Sequence, residues 1–286
     1  MTEILESIAM LSVLVFVISS MLSMGLSLTI QQIIDPLKNV RLVILALVAN
    51  FILVPVVAYA ITLILPLNES LTIGLILLST AAGAPFLPKL VEVAKGNLAF
   101  SVGLMVLLMV VTIIYLPLVL PLLLSGVEVS PWDIAQSLIV MMLIPLAVGL
   151  FIRARYEESA AKLQPTFATA ANLGILVLSV LGLVLNFSSM IALVGSLGIL
   201  AAIIFLVLAL LIGYLLGGSG AGNKSVMALG TAQRNISAAL VVAAQNFDAD
   251  VITYLMVVAI IGFVILFPAA GELGKRAAVP ASEAAD

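Results

Sequence analysis

Two basic residues, Lys89 and Arg234, lie within hydrophobic segments that are otherwise almost free of charge. Lys89 closes the run Ser79-Thr80-Ala81-Ala82-Gly83-Ala84-Pro85-Phe86-Leu87-Pro88-Lys89, and Arg234 sits inside Gly230-Thr231-Ala232-Gln233-Arg234-Asn235-Ile236-Ser237. A charge is costly inside a bilayer, and broken helix is tolerated at that depth only inside protein or beside a water-filled cavity. Two such places, about 150 residues apart, suit the binding and movement of a charged solute. A simple anchor needs neither.

In the first segment, Pro85 and Pro88 remove backbone donors and clash with the preceding turn, which predicts unpaired carbonyls near Ala81 and Ala84. Gly83 permits close approach or an unusual dihedral. Freed carbonyls are ligands for a cation or partners for Lys89, so a binding crossover is expected; a plain proline kink is the alternative. The second segment packs Thr231, Gln233, Arg234, Asn235 and Ser237 into seven residues, after Gly230. Such a cluster facing lipid is costly. Residues i and i+2 point apart on a helix, so Gln233, Asn235 and Ser237 predict an unwound segment whose side chains radiate into a cavity. A polar knot tying helices together is the alternative. Arg234 is ten residues from Lys224, about 15 Å along a helix, which places it near mid-depth. Lys89 is only six residues from Lys95 and could instead snorkel to the surface. Asn50, five residues before Pro55, either reaches the crossover or ties two helices. Asn172, Ser179 and the serines at 19, 20, 23 and 27 are weaker signals, because small residues also simply permit close helix packing.

The elements that must hold these residues are membrane spans. Of 286 residues, 64% are apolar and 9% charged, with a mean hydropathy of +1.37, a composition outside that of soluble domains. Nine apolar stretches are long enough to cross a bilayer: 7–29, 40–65, 69–91, 97–124, 132–152, 165–187, 190–216, 224–245 and 249–270. The fold class expected is an all-α polytopic membrane protein. Glu3 and Glu6 precede the first stretch, unlike the basic start of a signal peptide.

Charge placement gives a topology. The nine loop and tail cations (Lys38, Arg41, Lys95, Arg153, Arg155, Lys162, Lys224, Lys275 and Arg276) fall on one side of the nine-span layout. The opposite side holds Glu69, Glu128, Asp133, the turn Asn186 to Ser189, Asp248 and Asp250. By the positive-inside tendency the basic side is cytoplasmic. This predicts an integral protein of the cell inner or plasma membrane, with its N-terminus outside and its C-terminus inside.

Spans one to four and six to nine share one punctuation: two ordinary spans, a broken one, an ordinary one. A single linking span forces the second group to run upside down, which is the inverted-repeat plan of secondary transporters. The predicted organisation is residues 1–124 as the first repeat, 125–160 as linking span five, 161–272 as the second repeat, and 273–286 as a disordered cytoplasmic tail.

Several chemistries have no residues here. There is no cysteine and no histidine, hence no disulfide, thiolate or imidazole ligand, and no metal site or cofactor is assigned. No P-loop, voltage-sensor arginine series, potassium-filter motif or paired carboxylate lies within the spans. The expected protein is no enzyme, and binds no nucleic acid.

Met24-Gly25-Leu26-Ser27-Leu28, Pro36-Leu37 through Asn50 and Pro55, Ala82 to Pro88, Ala94-Lys95-Gly96-Asn97-Leu98-Ala99-Phe100-Ser101-Val102, and Gln233-Arg234-Asn235 together resemble the bile acid:sodium symporter family. The resemblance covers nearly the whole chain, which looks like a nine-span member. It implies two discontinuous helices that cross at their unwound parts, in a core domain of spans two to four and seven to nine. Spans one, five and six would form a panel domain, with an organic anion bound between panel and core. The family pattern Pro-Gly-Gly-x-x-Ser-Asn has Leu87 and Pro88 at its Ser and Asn positions. In Glu-x-Gly-x-Gln-Asn, this chain has Gly230, Ala232 and Arg234 at the Glu, Gly and Gln positions, and keeps Asn235. Those side chains help bind two sodium ions in the family.

The expected function is therefore secondary active or facilitative transport of a small organic anion by alternating access. Lys89 and Arg234 would stand in for the two ions. Arginine keeps its proton whereas a buried lysine can release one, making Lys89 the one candidate proton carrier at either crossover. Gly83, Pro85, Pro88 and Gly230 would shape the crossover backbone. Lys89, Thr231, Gln233, Arg234, Asn235, Ser237 and Asn50 would line the site. One alternative is sodium-coupled symport through backbone carbonyls with Thr231, Gln233 and Asn235. Others are a non-transporting membrane scaffold or sensor, and a channel. Substrate identity, coupling ion, direction and oligomeric state stay open.

Overall fold

The computed structural model describes residues 2–124, 130–185, 193 and 195–278. Glu128, the turn Asn186 to Ser189, the side chain of Ser179 and the tail from residue 279 lie outside the described residues. The described chain is all helix and connecting backbone, with no strand. Each predicted stretch is helical: Thr2–Ser27, Val40–Ile64, Glu69–Thr80 with Leu87–Val93, Leu98–Leu123, Pro131–Arg155, Glu157–Leu185, Gly198–Leu216, Ala221–Asn246 and Ala249–Ala278. They are numbered one to nine in that order. Among the described residues, seven helices are long and apolar enough to cross a membrane. Two stretches are outside that set: the third, made of helices of 12 and 7 residues separated by extended backbone, and the sixth, Glu157–Leu185.

Helix boundaries follow local chemistry. Asn39, Asn68, Asn97, Ser130 and Asn235 each cap a helix by accepting a backbone N–H from three residues on, satisfying one of the donors a helix start leaves open. Three expected connections are helical instead, the first being residues 30–38, a short α-helix Ile30–Ile34 followed by a 3-10 turn Asp35–Lys38. The expected loop at 153–164 is nearly all helix, broken only at Tyr156. Arg153 with Glu157 at 2.9 Å and Lys162 with Glu158 at 2.7 Å are spaced to pair along a helical face. Likewise the expected disordered tail from 273 continues span nine through Ala278. Glu272 pairs there with Lys275 and Arg276 at 3.5 and 3.4 Å, and both cations suit the negative end of a helix.

Spans two and five each contain a π-helical turn, Ala49–Leu53 and Ile139–Leu143, and each has a proline just after it, Pro55 and Pro145. Proline cannot donate to the carbonyl four residues back. In span two that carbonyl belongs to Phe51, and the Tyr115 hydroxyl of span four donates to it at 2.6 Å.

Spans one, five and six pack on one another. Glycines let spans one and five approach closely: a Cβ on Gly25 would fall 2.4 Å from the Leu146 carbonyl oxygen and 2.9 Å from the Gly149 Cα. The remaining spans pack as a second group around the two broken ones. This is an all-α polytopic membrane fold with two discontinuous helices, consistent with an inverted-repeat transporter.

Candidate functional site

The site forms where the two breaks meet. In span three the helix Glu69–Thr80 stops, the backbone runs extended through Ala81 to Ala84, and Leu87–Val93 resumes it. In span eight, Ala221–Ala232 stops and Ile236–Asn246 resumes after Gln233 to Asn235. The Asn235 N–H donates to the Ala81 carbonyl at 2.9 Å, and its Nδ2 donates to the Ala82 and Gly83 carbonyls at 3.3 and 3.0 Å. The Ala81 carbonyl is the one that Pro85 deprives of its helical donor. The Ala84 carbonyl is satisfied locally, by Leu87 N–H at 3.1 Å.

Span four seals this crossing. The Thr112 hydroxyl accepts from the Ala82 N–H at 2.9 Å and lies 3.1 Å from the Ala82 carbonyl, to which it donates. Gly83 has φ +80°, and a Cβ there would lie 2.2 Å from the Met109 nitrogen. Both the dihedral and the contact require glycine.

Arg234 lies at the centre and is 4% exposed. Its Nε donates to the Leu78 carbonyl at 2.9 Å, Nη2 to the Ser79 carbonyl at 2.7 Å, and Nη1 to the Thr231 carbonyl at 3.1 Å and the Asn50 Oδ1 at 2.7 Å. These partners exist because both helices break. Leu78, Ser79 and Thr231 lie in the last turns of their half-helices, where the donor four residues on is lost; Leu78 keeps the Ala81 N–H at 3.2 Å as a second donor. Each helix end carries roughly −0.5 of a charge, so two such ends offset the single guanidinium. No carboxylate pairs with Arg234 among the described residues. Asn50 stands on the π-helical turn of span two and is 1% exposed. Its Nδ2 donates to the Ala46 carbonyl at 3.0 Å and to the Thr231 Oγ1 at 3.4 Å, leaving Oδ1 for the guanidinium. The donor and acceptor needs of the two groups fix this orientation.

The other predicted residues divide. Asn50, Thr231, Arg234 and Asn235 converge. Ser237 is buried in the first turn after the break. Gln233 turns aside; its Oε1 is buried with no hydrogen-bond partner among the described residues, beside a cavity of about 50 Å³ that Arg234 and Phe263 also line. Gly230 abuts Leu87, whose Cδ2 lies 3.1 Å from the position of a Cβ on the glycine.

Lys89 is not brought to the crossing. Its side chain is 60% exposed and its Nζ lies 2.8 Å from Glu92. It occupies the short helix Leu87–Val93, two turns from an end that Lys95 and Gly96 close. Of the two residues expected to stand in for ions, only Arg234 lies at the crossing, and the buried proton carrier expected at Lys89 loses its premise. A lysine this near a helix end gains more from water and a carboxylate than from a desolvated interior.

A separate cleft of about 330 Å³ opens between the two helix groups. Ser20, Ser23 and Asn172 line one wall, and Pro85, Pro88 and Met105 the other. Gln164 Nε2 donates to the Ser23 hydroxyl at 3.1 Å. In sequence Ser20, Ser23 and Asn172 are only weak signals, and neither Gln164 nor Thr112 is marked, although Thr112 is one of few hydroxyls in an apolar span, with Ser101 and Tyr115.

Comparison with known proteins agrees with this architecture. A segment of the chain is 26% identical over 160 residues to the "Uncharacterized sodium-dependent transporter YocS" of Bacillus subtilis (strain 168), covering 54% of this chain and 49% of that protein. Another is 32% identical over 131 residues to the "Probable sodium/metabolite cotransporter BASS2, chloroplastic" of Oryza sativa subsp. japonica, covering 46% of this chain and 31% of that protein. The chain thus spans about half, or less, of the length of these curated relatives. The profile of the Sodium Bile acid symporter family matches residues 14–211, more than half of the chain. With that match and the crossing of two broken helices, the chain belongs to the Sodium Bile acid symporter family.

Proposed function

We propose that this chain is a secondary transporter of a small organic anion, working by alternating access, in which Arg234 permanently takes the place of a sodium ion. The observation that carries this reading is the partner set of the guanidinium. Half-helix carbonyl ends and a side-chain amide oxygen are the ligands that discontinuous helices offer a coupling cation, and here an arginine holds them. The other family ion position is closed by apolar packing. Leu87 and Gly230 stand where the family pattern carries Ser and Glu, and they fill the space against each other. Lys89 has no part in either position.

The anion is assigned to the 330 Å³ cleft, whose walls belong to different helix groups and whose size suits a small-molecule site. Relative movement of the two groups would carry the cleft from one face of the membrane to the other. The accompanying layout has nine spans, with repeats at 1–124 and 161–272 about linking span five. It places the N-terminus outside and the C-terminus in the cytoplasm, in the cell inner or plasma membrane. The charge asymmetry of the loops supports it.

One observation favours the sodium-coupled alternative. Gln233 Oε1 is a buried acceptor lacking a partner among the described residues, as an incomplete cation shell would have. Uptake into liposomes decides between them. With the purified chain, radiolabelled taurocholate or pyruvate is expected to enter equally with and without an inward sodium gradient. Strict sodium dependence overturns the Arg234 reading. No uptake of either probe favours a non-transporting scaffold.

A further inference from the structure

We propose that the charge moved in each transport cycle is the anion's own and nothing more, so that an inside-negative membrane potential drives the anion out of the cell. This rests on the proposed role of Arg234 and extends it from the occupant of the site to the direction of flow.

Few charges in the chain lie where they could cross. Within the nine apolar stretches, Arg41, Glu69, Asp133, Lys224 and Asp250 lie at the ends, and only Lys89 and Arg234 lie further in. There is no histidine or cysteine anywhere in the chain. Lys89 is at the surface and paired with Glu92. Arg234 is tied by four hydrogen bonds to spans two, three and eight. Arginine does not release its proton in proteins, so Arg234 can neither leave as an ion does nor deliver a proton. Among the described residues no carboxylate lies near it to exchange one. With Arg234 in one position and Leu87 closing the other against Gly230, neither of the two positions the family pattern gives to ions is left open to a mobile cation.

The consequence is one of sign. A carrier that moves two monovalent cations with a monoanion transfers net positive charge, and an inside-negative potential pulls its cargo inward. Remove both cations and the same cargo transfers net negative charge, so the field pushes it outward. Which step of the cycle crosses the field does not matter, because Arg234 returns to its starting place each turn.

The test uses the purified full chain in phosphatidylethanolamine–phosphatidylglycerol liposomes, sodium-free throughout, with radiolabelled taurocholate and pyruvate as probes. Valinomycin and potassium gradients clamp the potential. A tenfold gradient set inside-positive is expected to accumulate a monoanion about tenfold, and the same gradient set inside-negative to empty preloaded vesicles. Neither should need an anion on the opposite side. Sodium-free flux that is equal at all clamped potentials, or that requires a counter-anion, overturns this inference and leaves the Arg234 reading standing. Flux that appears only with sodium, or no flux of either probe, overturns the Arg234 reading and this inference with it.

Discussion

Arg234 shows what a buried charge demands of its surroundings. Desolvating an ion costs several kcal/mol unless its donors are met, and four of the five guanidinium N–H groups find oxygen. The Asn50 contact is the one such bond made by a side chain. Asn50→Ala leaves an Nη1 donor short of a partner and is expected to destabilise the protein by about 1.5–3 kcal/mol, read as a lower Tm in detergent. Lys89→Ala removes an exposed ion pair and should change stability by less than about 1 kcal/mol, with transport unchanged. The opposite ranking would mean that the functional cation had been misassigned. Arg234→Gln empties the carbonyl shell. The variant is expected to gain a sodium-dependent rise in Tm that the parent chain lacks, and a sodium-stabilised parent chain would refute the surrogate role.

The elements are defined by where they fail to be regular. Pro55 opens the π-helical turn that presents Asn50, and Tyr115 closes the carbonyl so freed. Pro85 frees the Ala81 carbonyl, and Asn235 N–H closes that one from another span. Each proline thus creates an acceptor that a distant residue must satisfy, which couples a local defect to a long-range contact. A double-mutant cycle measures the coupling. Tyr115→Phe alone should cost about 1–3 kcal/mol, the penalty of an unpaired buried carbonyl. In a Pro55→Ala background, where a backbone donor is restored, the same change should cost clearly less. Equal costs in both backgrounds would show that the hydroxyl does not serve that carbonyl.

At the scale of the whole molecule, the two helix groups have different characters. Spans one and five meet through glycines at 25 and 149, and span six meets span one at Gly174 against Phe16, which lets backbones approach closely. The other group is held by the hydrogen bonds of the crossing. The cleft lies between them, so filling it should block transport while leaving both groups intact. Ser20→Trp places an indole among the lining residues. It is expected to lower uptake at least about tenfold, a loss of 1.4 kcal/mol or more in transition-state terms, with Tm shifted by only a few degrees. A normal uptake rate would remove the cleft as the route.

Much of this protein is legible in one dimension. Long apolar runs dictate membrane helices because backbone groups have no other partners in lipid. Prolines at 55 and 85 and the polar run from Thr231 to Ser237 mark the breaks, since both features conflict with a continuous lipid-facing helix. The helical stretch through 153–164 was hidden, because charged residues that pair along a helix resemble a polar loop until their spacing is weighed. The depth and company of the two cations were hidden more deeply. Lys89 and Arg234 look alike in sequence, each basic and each beside a broken run. Only the folding of spans two, three and eight against one another put three carbonyls and an amide around Arg234 and left Lys89 to water and Glu92. A charge's environment is a sum over neighbours from distant parts of the chain. No local pattern carries that sum, which is why the helices could be read from the residues in order and the site only from their packing.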